Sequence, residues 1–168
     1  MPPDLSSRNI LVLGAETPNG REIVSALATA GAHVAAVSAR TDTESALAVQ
    51  RLVRRVSTGG GSAEAKVIDA TNEMAVRIVV RQVGKTLERL HALVYVGGLA
   101  YGDSDALALA VRFGAKEMAR SGSGVVLIIG TDKPVDAPQG TLVMRLGTGG
   151  AVKPEQVALT LDAILNNR

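Results

Sequence analysis

Asn9-Ile10-Leu11-Val12-Leu13-Gly14-Ala15-Glu16-Thr17-Pro18-Asn19-Gly20 is the stretch that decides the fold. Its first part is a short apolar run that stops at a glycine, the pattern of a strand buried on both faces. Ile23, Val24, Leu27 and Ala28 then recur at helical spacing until Gly31. Gly14 permits a sharp turn, and Gly20 lets the helix lie close against its strand. Backbone N–H groups at the start of such a helix make an anion site. The glycine pair carries weight because it follows a strand and opens a helix.

The same alternation runs outward along the chain. His33–Val37 is a second strand, and Leu47, Val49, Leu52, Val53 and Val56 mark a second helix closed by Gly59-Gly60-Gly61-Ser62. Ala65–Asp69 is a third strand, followed by a helix carrying Val76, Val79, Val80, Val83, Leu87 and Leu90. Ala92–Val96 is a fourth strand ending at Gly97-Gly98, residues 105–120 a fourth helix, and Val125–Ile129 a fifth strand. Thr141–Met144 reads as a sixth strand. Pro154 suits the first turn of a last helix with Val157, Ala158, Leu161, Ile164 and Leu165. Strand–helix alternation with apolar strands predicts an α/β fold: a doubly wound, mostly parallel sheet of about six strands with helices on both faces, Rossmann-like. A single domain over residues 1–168 is expected, with residues 1–8 flexible. The link at residues 131–140, with Pro134, Pro138 and Gly140, is too short and proline-rich for a helical crossover. An extended parallel return and an antiparallel pairing both remain open for the sixth strand.

Composition removes several function classes. The 168 residues are 46% hydrophobic and 20% charged, include no cysteine, and have His33 and His91 as their histidines. Disulfides, cysteine-ligated metals and a histidine-rich metal cluster are thereby excluded. Eighteen Lys and Arg against 16 Asp and Glu give a net +2. With aromatics at 2%, a nucleic-acid partner is not expected. Arg51, Arg54 and Arg55 read as a solvated helix face. No apolar run is long enough to span a membrane, and Met1-Pro2-Pro3-Asp4 lacks the blocks of a signal peptide, so a cytoplasmic setting is expected.

Residues 13–20 align with T-G-x-x-x-G-x-G, the glycine motif of the short-chain dehydrogenase/reductase family, and further matches follow in order over nearly the whole chain. Arg40, just after the second strand, resembles the basic residue that selects the NADP 2′-phosphate. Asp69-Ala70-Thr71-Asn72 is similar to D-V-T-D, whose first aspartate contacts adenine. Leu93-Val94-Tyr95-Val96-Gly97-Gly98 is similar to L-V-N-N-A-G. Gly124 to Thr131 resembles the strand that bears the catalytic serine, with Thr131 in its place. Leu146-Gly147 resembles a P-G turn, and Lys153–Ala158 a p-e-e-v-A helix start. The resemblance implies NADP as cofactor, no metal, and Gly14, Asn19, Gly20, Arg40, Asp69, Ala70, Gly97 and Gly98 as cofactor-binding residues.

The departures from that pattern matter as much. The middle glycine, where backbone approaches the pyrophosphate, aligns with Pro18, or with Thr17 in the related GATGxxG spacing. Pro18 offers no N–H. The family uses a tyrosine as acid/base and a lysine four residues later, which lowers the tyrosine pKa and holds the ribose. No Tyr-x-x-x-Lys occurs in this sequence. The helix that should carry it falls where residues 131–140 make their short link, so no catalytic residue is assigned. Asp132 and Lys133 read as solvated loop residues. Asp69 serves either adenine or the cap of the next helix, for which Thr71 is the better candidate. Gly147-Thr148-Gly149-Gly150 reads as an anion nest or a flexible turn.

The expected function is therefore that of a short-chain-dehydrogenase-like protein with a weakened NADP(H) site and no standard Tyr–Lys apparatus, in a binding, regulatory or assembly role. The alternative is an NADP-dependent oxidoreductase that uses Thr131, Asp132 and Lys133 or groups from a partner subunit. Ala106-Leu107-Ala108-Leu109-Ala110-Val111 is apolar all round and calls for cover on more than one side. A homo-oligomer, or a heteromer with a related chain, is the expected source.

Overall fold

The computed structural model describes residues 2–98, 102–147 and 152–166. Along the chain run β1 (Asn9–Leu13), α1 (Pro18–Thr29), β2 (His33–Ser38), α2 (Thr43–Thr58), β3 (Ser62–Val67), α3 (Glu73–Thr86), β4 (Ala92–Val96), α4 (Asp103–Ala119), β5 (Val125–Ile129), β6 (Leu142–Leu146) and α5 (Pro154–Asn166). The strands form one sheet in the order β3-β2-β1-β4-β5-β6, and every pairing is parallel. The Rossmann-like α/β class follows from this arrangement.

Strand periodicity explains the two cores. Successive side chains of a strand point to opposite faces. Ile10 and Val12 of β1 join Ile23, Val24 and Leu27 of α1, Val49 and Leu52 of α2, and Val157 and Leu161 of α5. Leu11 and Leu13 face the other way, toward Val76, Val80 and Val83 of α3 and Leu107 and Val111 of α4. The segment before β1 adds to the first core: Leu5 is fully buried, and its N–H bonds the carbonyl of Ala30.

β6 returns parallel, in register Val125↔Leu142 to Ile129↔Leu146, after a link that contains no helix. This resolves the direction left open above. Arg145 of β6 holds the link in place, donating from its two terminal nitrogens to the carbonyls of Thr131 at 3.0 Å and Lys133 at 2.7 Å. Val135 of the link packs on the α3–α4 core. Ala106, Leu107, Ala110, Val111, Phe113 and Met118 of α4 are all buried within this one chain. Ala108 is exposed and Leu109 half-buried, so part of the helix's apolar run stays at the surface of this chain.

Several boundaries differ from the sequence expectation: β6 runs on to Leu146, and α3 ends at Thr86, before Leu87 and Leu90. β3 starts at Ser62, inside the glycine link, and ends at Val67. The cap of α3 is Asn72, whose side chain accepts from the N–H of Ala75, and not Thr71. Tyr101 and residues 148–150 of the glycine-rich turn lie outside the described residues.

Candidate functional site

The strand order reverses between β1 and β4, and in open parallel sheets ligands bind beyond the carboxyl ends of strands at such a point. Gly14 leaves β1 with φ +97°, and a Cβ there would stand 2.7 Å from the Val96 carbonyl oxygen. Only glycine lets the first turn lie this close to the end of β4. A Cβ on Gly20 would stand 2.1 Å from the Gly14 carbonyl oxygen, so the first turn of α1 rests directly on the strand end.

The start of α1 is capped from within. The Thr17 hydroxyl donates to the Gly14 carbonyl at 2.8 Å and accepts from the Gly20 N–H at 2.9 Å. Pro18 occupies the first helical position, which suits its fixed φ, and contributes no donor. The Arg21 N–H goes to the Thr17 carbonyl. Among these first amides, that of Asn19 remains for a ligand. Beside it, Asn19 Oδ1 is buried and has no partner among the described residues.

The end of β2 gathers charge. Ala39 gives its N–H to Glu16 Oε1 at 3.0 Å, while its carbonyl accepts from the Ala70 N–H. Glu16 Oε2 is buried without a partner among the described residues. Arg40 is exposed, with its Nε 3.3 Å from Oδ1 of Asp42, the cap of α2. Asp69 accepts from the N–H and hydroxyl of Thr71, and those bonds hold its carboxyl below the usual 3.8. Asp42 is held low in the same way, first by its bonds to Ser45. Both are charged at neutral pH.

Gly97 and Gly98 follow β4. The Gly97 N–H bonds the Ile129 carbonyl at 2.7 Å, and a Cβ there would stand 2.9 Å from the Thr131 Cβ. Thr131, at the end of β5, is buried, and its hydroxyl accepts from the Lys133 N–H. Asp132 and Lys133 are exposed. Tyr95 lies buried in the α3–α4 core, donating to the Asp103 carboxylate at the start of α4. Burial first, then that bond, raises its hydroxyl above the ordinary 10. The fold thus brings Gly14, Asn19, Gly20, Ala70, Gly97 and Gly98 to one end of the sheet. Arg40 and Asp69 stand beside them with their charged groups already engaged.

Residues 8–130 match the family model for short chain dehydrogenases. The chain belongs to this family. No curated protein matches the sequence. Among solved structures, a short-chain type dehydrogenase/reductase from Mycobacterium ulcerans aligns with TM-score 0.64 and 26% identity, over 76% of this chain and 52% of its own. A 7 alpha-hydroxysteroid dehydrogenase complexed with NADH and 7-oxo glycochenodeoxycholic acid aligns with TM-score 0.66 and 25% identity, over 76% of this chain and 55% of its own. The citronellol catabolism dehydrogenase of Pseudomonas aeruginosa PAO1 shares the fold at TM-score 0.65 and 19% identity, over 95% of this chain and 66% of its own. The chain therefore spans about half the length of the first two of these relatives.

Short-chain dehydrogenases bind a nicotinamide dinucleotide, and the residues here fit that group in outline. Gly14 and Gly97 clear the ends of β1 and β4, and the Asn19 amide would be the donor left at the helix start for a pyrophosphate. The fit is sparse at the helix start, where Pro18 and the Thr17 cap remove donors. No helix among the described residues is long and apolar enough to cross a membrane. No group of three acidic, histidine or cysteine side chains among them is placed to hold a metal ion. Sequence reasoning passed over Glu16 and Arg145, since the partners of both lie just past the ends of neighbouring strands.

Proposed function

We propose that this chain is an internally shortened short-chain dehydrogenase that holds a nicotinamide dinucleotide weakly and does not perform standard dehydrogenase chemistry. Its role is then one of binding, in regulation or assembly. One observation carries this reading: the passage from β5 to β6, residues 130–141, contains no helix. In this reading, that passage stands where the family's helix would bring a tyrosine and its lysine over the nicotinamide. A bound nicotinamide supplies or accepts a hydride, but a carbonyl substrate also needs a proton donor at its oxygen. Thr131 is engaged with the backbone of its own turn, and Asp132 and Lys133 point to solvent. These residues support the non-catalytic reading over an oxidoreductase built on non-standard groups. Arg40 would act on a 2′-phosphate, and so favour NADP(H), only if its guanidinium left Asp42.

Two measurements on the purified chain test this. Calorimetric titration of NADH and NADPH is expected to give submillimolar binding of at least one. Absorbance of the reduced nicotinamide is expected to stay constant on adding simple ketones or alcohols. Turnover above the uncatalysed rate overturns the reading in favour of an oxidoreductase. Absence of binding by either nucleotide leaves the fold as a scaffold only.

A further inference from the structure

We infer that Glu16, rather than Arg40, sets the nucleotide preference of this crevice, and that it favours a dinucleotide with a free ribose 2′-hydroxyl. The inference rests on the reading that the crevice binds a nicotinamide dinucleotide.

In dinucleotide-binding folds an acidic side chain at the end of the second strand accepts a hydrogen bond from the ribose 2′-hydroxyl, whereas a nearby arginine accommodates a 2′-phosphate. At the end of β2 this chain has Ala39, which has no polar side chain. Glu16 reaches across from the turn after β1 and delivers a carboxylate to the same place, its Oε1 fixed by the Ala39 N–H at 3.0 Å. The second oxygen, Oε2, is buried and accepts nothing among the described residues. A buried carboxylate oxygen without a donor is costly, and a ligand hydroxyl relieves that cost. A 2′-phosphate does the opposite. It offers acceptors to an acceptor and brings close to two negative charges against a carboxylate already held in position.

Arg40 does not offset this. Its side chain is exposed and shared with Asp42, while Glu16 is tied to the backbone and Asp69 is charged beside the same strand end. An exposed cation is screened by water, whereas a part-buried anion next to the ligand is screened much less.

The test is calorimetric titration of NADH and NADPH into the full chain and into Glu16→Gln, Glu16→Ser and Arg40→Ala. The wild type is expected to bind NADH at least about tenfold more tightly than NADPH, as like-charge contacts at binding sites dictate. Glu16→Ser is expected to bring the ratio to within about threefold by removing that contact. Glu16→Gln keeps the shape and serves if the serine variant unfolds. Arg40→Ala is expected to leave the preference for NADH in place. A wild type that prefers NADPH, or an unchanged ratio in both Glu16 variants, overturns the inference while leaving dinucleotide binding intact. Failure of every variant and the wild type to bind either nucleotide removes the underlying reading as well.

Discussion

Gly14 and Pro18 sit four residues apart in the same turn and affect it in opposite ways. Gly14 has φ +97° and no room for a Cβ, because the Val96 carbonyl oxygen would lie 2.7 Å from it. Gly14→Ala combines backbone strain with overlap, so the expected loss of stability is about 2–4 kcal/mol, read from urea midpoints. A loss below that of an ordinary surface change would show that β1 and β4 can separate at this end. Pro18 costs the fold nothing, since the first helical position has no use for its N–H. What it removes is a donor to the ligand. Pro18→Gly restores one backbone hydrogen bond, which predicts NADH affinity higher by about three- to tenfold. The same change is expected to lower Tm by a few degrees, because glycine is a poor helix former. An unchanged affinity would show that the Thr17 cap, not the proline ring, limits binding.

At the scale of elements, the link between β5 and β6 is the feature on which function turns. Ten residues with two prolines cannot form the helix a parallel crossover ordinarily uses, and this much was readable from the sequence. The direction of β6 was not, because it depends on pairing with β5, and a strand's own pattern is the same in either direction. Arg145 escaped notice for the same reason. It looks like a polar residue in an edge strand until the register Ile128↔Arg145 places it beside the carbonyls of Thr131 and Lys133. Glu16 likewise gains meaning only when β2 lies next to β1 and Ala39 comes within reach. The strands, the helices and the glycines at the strand ends were legible because each is written in local periodicity. Arg145→Met keeps the apolar stem and removes both hydrogen bonds, so the link is expected to loosen at a cost of about 1–3 kcal/mol. Limited proteolysis with mass mapping checks this: new cuts within residues 131–141 are expected. A cleavage pattern identical to the wild type would mean that Val135 and the prolines hold the link unaided.

The whole molecule is built on one sheet with a core on each face, so neither core keeps its floor if the other is lost. We propose on this basis that the chain unfolds as a single domain, with calorimetric and van't Hoff enthalpies that agree. His91 makes that unfolding depend on pH. It is buried just before β4, accepting from the Asn9 N–H on Nδ1 at 3.0 Å, while its own N–H bonds the Asn9 carbonyl. It thereby fastens the start of β4 to the start of β1, in the middle of the sheet. Burial, with Arg89 and Arg8 nearby, lowers its pKa from 6.5 to about 4. The native protein therefore keeps the ring neutral in a range where the unfolded chain has already taken up a proton. Wherever the unfolded state binds more protons, stability rises with pH. The contribution of His91 is complete above pH 6.5 and declines as pH falls toward 4. Asp42 and Asp69, held below 3.8, lose their contribution only at more acid pH, so the two effects separate. Urea midpoints are accordingly expected to fall steadily between pH 6.5 and pH 4.5, and His91→Gln is expected to flatten that slope. A wild type whose midpoint does not change across the window would mean that the bond between Asn9 and His91 tolerates a charged ring, and that the centre of the sheet is wetter than its packing implies.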